Sequence, residues 1–160
     1  MRRMILARVI TCSDAASRGE REDRSGPAVR AMLEEQSFSV DSIVVVADDV
    51  ETIATAIESA TADGARFVVT TGGTGIAPRD VTPEATRKVC ERELPGFGER
   101  MRATSPVGAL SRAIAATRGT ALIVNLPGSV KGATESLAAI LPLVPHAIEL
   151  LAGERVEQHP

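Results

Sequence analysis

Between Thr70 and Asp80 the chain reads Thr-Thr-Gly-Gly-Thr-Gly-Ile-Ala-Pro-Arg-Asp, three glycines within four residues and an acid at the far end. Residues without a Cβ let backbone N–H groups converge on an anion, and the Thr74 hydroxyl adds a donor. Gly72, Gly73, Thr74 and Gly75 therefore have the composition of a phosphate cradle. The competing reading is a turn whose glycines serve backbone geometry alone; a position directly after a strand favours the ligand. Asp80 stands just ahead of a helix start. Mg2+ is commonly held by one or two carboxylates together with substrate phosphates, which suits an acid at this point. Its other possible role is a charge at a helix N-terminus, worth about 0.3–1 kcal/mol. Asp48 poses the same choice with capping the stronger claim, because it ends a predicted strand beside Asp49.

Two more loops follow predicted strands and carry small polar residues. One runs from Thr11 to Gly19 and contains Ser13 and Asp14; the other is Asn125-Leu126-Pro127-Gly128-Ser129. The glycine segment is not a Walker A loop, since no Lys-Ser or Lys-Thr pair follows its glycines and Arg79-Asp80 stands there instead. Nor is it a Rossmann fingerprint, which needs a glycine where Pro78 sits and belongs after the first strand. With His146 and His159 the only histidines, a Ser-His-Asp triad has little material.

Such loops need strands to hold them side by side. Near-continuous apolar runs occur at Ile5 to Thr11, Val40 to Val46, Phe67 to Thr71 and Ala121 to Asn125, with amphipathic stretches between. That alternation predicts an α/β fold: three layers, doubly wound, a mostly parallel sheet with helices on both faces. Ligands of such sheets lie beyond the carboxyl ends of the strands, where the three loops fall. Pro27 is expected at N1 of one helix, Asp49 as the cap of the next, and Thr82-Pro83 as a cap and proline pair before a third. A long apolar stripe from Leu137 to Leu151 is expected to split at Pro142 and Pro145, with Gly153 at its C-cap. Pro95 to Asn125 is less regular, with a short helix opening at Pro95 and a tight turn between two strands at Arg118-Gly119-Thr120.

The 160 residues suit one domain, 1–160, able to fold without disulfides or structural metal. Three Phe and no Trp or Tyr leave an aliphatic core and no platform on which bases stack, and a net charge of −3 lacks the basic field that a phosphate backbone requires. No nucleic acid partner is expected. Cys12 and Cys90 are too few for a Cys-based zinc site and suggest a reducing, cytoplasmic compartment. The apolar run Met4 to Ile10 has about half the length of a membrane span and reads as a buried strand, so no membrane association is expected.

Five segments in order, Thr71-Gly72-Gly73-Thr74-Gly75, Arg79-Asp80-Val81-Thr82-Pro83-Glu84-Ala85, Pro95-Gly96, Leu110-Ser111-Arg112-Ala113 and Asn125-Leu126-Pro127-Gly128-Ser129, resemble the MogA/MoaB family, which includes the gephyrin N-terminal domain. The resemblance spans roughly residues 4–152. It implies a homotrimer and transfer of AMP from Mg-ATP to molybdopterin, giving adenylyl-molybdopterin and pyrophosphate. By motif, Gly72, Gly73, Thr74 and Gly75 would hold nucleotide phosphates, Asp48 and Asp80 would be the catalytic, Mg2+-linked acids, Ser13 and Asp14 would match the family's Ser-Asp and contact the ligand, Ser111 would lie near the pterin, and Pro127, Gly128 and Ser129 would line the nucleotide site. A molybdenum-insertion partner protein is also implied. The segment Met101 to Ser111 is shorter than in many relatives, and Val130 stands where a proline often follows. The competing functions are a non-catalytic pterin- or nucleotide-binding assembly or carrier protein of the same family, and a nucleotide-phosphate hydrolase of the same fold. Transfer of this kind needs positioning of two polyanions rather than an activated Ser or Cys, in keeping with so few histidines.

Overall fold

The longest β-branched runs, Val68 to Thr71 at the centre and Ile43 to Val46 at one edge, belong to one six-stranded sheet. The computed structural model describes residues 3–153, and His159 and the end of the 1–160 span lie outside them. Strands β1 (Ile5–Cys12), β2 (Phe38–Val46), β3 (Phe67–Thr71), β4 (Arg92–Glu93), β5 (Ala115–Arg118) and β6 (Ala121–Leu126) are arranged β2-β1-β3-β6-β5-β4. β1, β2, β3 and β6 run parallel, while β5 and β4 are antiparallel at one edge. The expected turn at Gly119, with φ 56°, joins β5 to β6. β4 has two exposed residues paired to Thr117 and Ala116, too short for any periodic signal in the sequence.

Alternation along the central strands builds three layers. Val9, Phe67, Val69, Leu122 and Val124 face one side, where they meet Val29 and Leu33 of α2 (Ser25–Glu35), Met101 of α5 (Pro95–Arg102), Leu137 and Ile140 of α6 (Val130–Ile140) and Val144 of α7 (Val144–Leu151). Ile10, Val68 and Ile123 face the other, against Ile53 and Ile57 of α3 (Val50–Ala62) and Ala85 of α4 (Thr82–Val89). A one-turn helix, α1 (Asp14–Ser17), follows β1. The last helix is broken by the 3-10 turn Leu141–Leu143, which contains Pro142, and Pro145 then falls in the first turn of α7, where its ring is tolerated. The 22-residue run Val130–Leu151 is long and apolar enough by composition to cross a membrane, yet its Leu137, Ile140, Val144 and Ile148 are buried against the sheet.

Two helix starts differ from the expected ones. α2 begins at Ser25, so Pro27 is its third residue, and the carboxylate of Asp23 accepts from Gly26 N at 3.0 Å. Val81, not Thr82, is the cap of α4; Thr82 is already helical and its hydroxyl donates to Gly72 O at 2.9 Å. Asp49 does cap α3, accepting from Thr52 N at 2.9 Å.

Phe67 is fully buried on β3 and its ring lies 5.5 Å from that of Phe38. Phe67→Ala is expected to destabilise the fold by about 3–5 kcal/mol, read by urea unfolding; a loss below about 1 kcal/mol would contradict this packing.

The register brings the ends of the strands together. Thr11 pairs with Thr71 and Thr71 with Leu126, so the chains leaving β1, β3 and β6 emerge side by side.

Candidate functional site

The glycine turn is held open by backbone geometry. Gly72 and Gly73 adopt φ of 90° and 68°, in the left-handed region that side chains avoid. Gly72 N donates to Leu126 O at 2.9 Å, and Thr82 N donates to Gly73 O at 3.1 Å. A Cβ on Gly72 would stand 2.4 Å from Cys12 O, and one on Gly128 would stand 3.3 Å from Gly72 Cα, so three loops meet here by their main chains. The N–H groups of Gly73, Thr74 and Gly75 have no protein partner among the described residues. Such clustered free donors suit an anion.

Beyond the turn, Arg112 ties the loop down. Its backbone N donates to Thr74 O at 2.7 Å, Nε to Gly75 O at 2.7 Å and Nη2 to Asp80 O at 2.9 Å, and it is ion-paired with Glu84. Asp80 turns back beneath its own loop, accepting from Ala77 N at 3.0 Å, and a Cβ on Gly75 would come within 2.9 Å of Asp80 Oδ2.

On the facing side lie Asp14 and Asp48, joined reciprocally. Asp14 N donates to Asp48 Oδ2 and Asp48 N donates to Asp14 Oδ1, each at 3.0 Å. The Arg79 guanidinium, in turn, donates from Nε to Asp14 Oδ2 at 2.9 Å and from Nη2 to Asp14 Oδ1 at 3.1 Å, which holds the Asp14 carboxyl below its ordinary range. Asp48 is driven the other way: burial raises its carboxyl, and its Oδ1 is enclosed with no hydrogen-bond partner. That oxygen lies 3.2 Å from where a Gly73 Cβ would be. A buried carboxylate oxygen without a donor beside unpaired N–H groups is costly unless a ligand completes it. Among the described residues no three His, Cys, Asp or Glu form a metal cage, so a divalent ion here would rely on Asp48, Asp80 and oxygens of the ligand.

Residues 8–146 match the family described as "Probable molybdopterin binding domain". The chain belongs to this molybdopterin-binding family. It is 43% identical over 156 residues to the molybdopterin adenylyltransferase of Helicobacter pylori strain J99, covering 93% of this chain and 89% of the relative. It is also similar to the crystal structure of the molybdopterin biosynthesis enzyme MoaB from Thermus thermophilus, with TM-score 0.89 and 45% identity over 94% of this chain and 98% of the other. The tungsten cofactor synthesizing protein MoaB from Pyrococcus furiosus matches with TM-score 0.86 and 36% identity, covering 94% and 99%. The expected doubly wound fold is therefore that of the MogA/MoaB structures.

Within this family fold, a cavity of about 670 Å³ opens at the strand ends and is lined by Ser13, Asp48, Gly72, Gly73, Asp80, Gly128 and Ser129. Other residues singled out by sequence sit differently. Thr74 is buried, and it, Gly75, Pro127 and Asp14 are not part of the cavity lining; Asp14 is tied to Asp48, which is. Ser13 and Ser129 accept from Ala16 N and Gly132 N as caps of α1 and α6. Ser111 stands apart, in a second hollow of about 350 Å³ with Arg87, Glu93 and Arg102, and its hydroxyl accepts from Ala113 N at 3.2 Å. The structure thus brings seven of the candidates to one cavity and leaves Ser111 outside it.

Sequence reading passed over the cavity floor. Thr11 Oγ1 donates to Asp23 at 2.8 Å, Ser25 Oγ donates to Thr71 Oγ1 at 3.0 Å, and Thr71 approaches Thr11 at 3.5 Å. These four polar side chains line the cavity, and Gly26 permits their approach, since a Cβ there would overlap Asp23 and Thr11. The available signal was buried threonines ending two adjacent strands.

Proposed function

We propose that this chain is a molybdopterin adenylyltransferase, one domain over 1–160, that joins AMP from Mg-ATP to molybdopterin and releases pyrophosphate. The observation that carries the reading is the enclosed, unpartnered Asp48 Oδ1 set against the Cβ-free glycine turn. An oxygen of the pterin's phosphate attacks the α-phosphorus of ATP; the new P–O bond forms as the bond to the β-phosphate breaks, and the electron pair leaves on pyrophosphate. The chain's task is to align the two polyanions and meet the charge on the leaving group. The free N–H of Gly73 holds a phosphate oxygen at the cavity, the free N–H groups of Thr74 and Gly75 extend the same turn past the cavity lining, and the N-terminus of α6 beside Gly128 and Ser129 adds its positive dipole end. Asp48 and Asp80 are the carboxylates that would hold Mg2+ together with oxygens of the polyphosphate. When bound, the ion neutralises charge on the nucleotide and orients it for in-line displacement.

The same proposal includes a homotrimer, a cytoplasmic site of action in keeping with the free thiols of Cys12 and Cys90, and a molybdenum-insertion protein as recipient of the product. Its test is incubation of the chain with ATP, Mg2+ and molybdopterin. Pyrophosphate and adenylyl-molybdopterin should appear in equal amounts and only when pterin is present. Pyrophosphate or phosphate released without pterin would make the chain a hydrolase, and ATP binding with no product would make it a carrier. Light scattering should give three times the chain mass.

A further inference from the structure

We propose that Arg79 and Asp14 are a positioning pair whose task is to fix Asp48 relative to Asp80; this rests on the adenylyl-transfer reading above. The two metal-holding acids sit on different loops, Asp48 after β2 and Asp80 after β3. What joins those loops is a relay of side chains. Arg79, the neighbour of Asp80, grips both carboxylate oxygens of Asp14 at 2.9 and 3.1 Å. Asp14 in turn takes the backbone N–H of Asp48 on Oδ1 and presents its own N–H to Asp48 Oδ2, both at 3.0 Å. Asp48 is left with one oxygen fixed and the other, Oδ1, enclosed beside Gly73.

Three features separate this role from the obvious alternatives. Both carboxylate oxygens of Asp14 are engaged by Arg79, and Oδ1 also accepts from Asp48 N, so its carboxylate acts through Asp48 rather than on a ligand. The Arg79 side chain is 68% exposed, and an ion pair so placed adds little to fold stability, so the pair is not there to hold the protein together. Finally, the fork geometry is specific to arginine: a lysine ammonium is a point charge unable to hold both oxygens in one plane. Residues behind a metal-binding group typically alter metal affinity or turnover by about 10–100-fold when removed.

The experiment compares Arg79→Ala, Arg79→Lys, Asp14→Asn and the Arg79→Ala/Asp14→Asn double variant with the parent. Turnover is followed at saturating ATP while Mg2+ is titrated, and Mn2+ binding to the protein–ATP complex is read by electron paramagnetic resonance. Arg79→Ala should raise the half-saturating Mg2+ and the Mn2+ dissociation constant by about 10-fold or more and lower kcat, with Arg79→Lys recovering only part. ATP affinity measured without a divalent ion should stay within about 2-fold and the melting temperature should be unchanged. The double variant should be no worse than the poorer single one, because the two residues act as a unit. If Mn2+ binding is unaltered, or ATP affinity without metal falls in step with KM at constant kcat, Arg79 is a direct phosphate ligand and the pairing is refuted. Should the parent show no pterin-dependent turnover, the functional reading fails, while the Mn2+ titration still decides the role of Arg79 and Asp14.

Discussion

Asp48→Asn is expected to lower kcat for pterin-dependent pyrophosphate release by about 10²–10³-fold, the usual loss when one preorganised electrostatic contact to a developing charge is removed. The substitution keeps the shape of the side chain and an acceptor for Asp14 N, so loop geometry should survive. What disappears is the charge at Oδ1, the enclosed oxygen that has no partner in the protein. Burial already disfavours that charge, since it raises the Asp48 carboxyl above its ordinary value. Neutralising it should therefore leave the melting temperature equal to or higher than the parent's, the pattern of a group retained for chemistry at some expense of stability. The measurement is a pair: turnover at saturating ATP, Mg2+ and pterin, and thermal unfolding without ligands. Activity within about 3-fold of the parent, or a fall in melting temperature, would show Asp48 to be a structural acid.

Much of this site was legible because the sequence encodes it locally. Central strands announced themselves as β-branched runs bounded by polar loops, and the glycine turn needed no tertiary knowledge, since its conformational demand is written in its own residues. What escaped was whatever depends on distant partners. β4 exists only through two residues paired to β5, a contact that leaves no pattern in Arg92 and Glu93. The hydroxyl of Ser25 finds its partner 46 residues away at Thr71, and Thr82 was read as a cap although its hydroxyl reaches back to Gly72 O. Asp14 looked like a ligand contact by motif, yet its carboxylate is engaged by Arg79, 65 residues on. Ser111 shares a motif with Arg112, but the two diverge: Arg112 braces the glycine loop, and Ser111 faces a separate hollow.

The remaining large effect concerns the meeting of three loops at Gly72. Gly72→Ala is expected to abolish measurable turnover, a loss beyond about 10²-fold, because displacement of a catalytic constellation by roughly 1 Å already costs that much. The argument is steric on two counts. At φ 90° an alanine pays for a conformation that L-residues avoid, and its Cβ would lie 2.4 Å from Cys12 O. That oxygen belongs to the backbone at the end of β1, so it moves only if the strand end or the glycine turn moves with it. Gly128 Cα, 3.9 Å from the same imagined Cβ, would be in ordinary contact, so the collision is with Cys12 O. Overpacking of this kind costs about 1–3 kcal/mol in addition to the strain. Gly119→Ala supplies the control. It has φ 56° and nothing within 4 Å of its imagined Cβ, so it carries the conformational cost without the collision. Its expected effect is about 1 kcal/mol of stability in urea unfolding and turnover equal to the parent's. If both variants lost activity alike, left-handed strain rather than loop contact would be responsible; if Gly72→Ala turned over normally, the convergence of the β1, β3 and β6 loops would not be what forms the phosphate site.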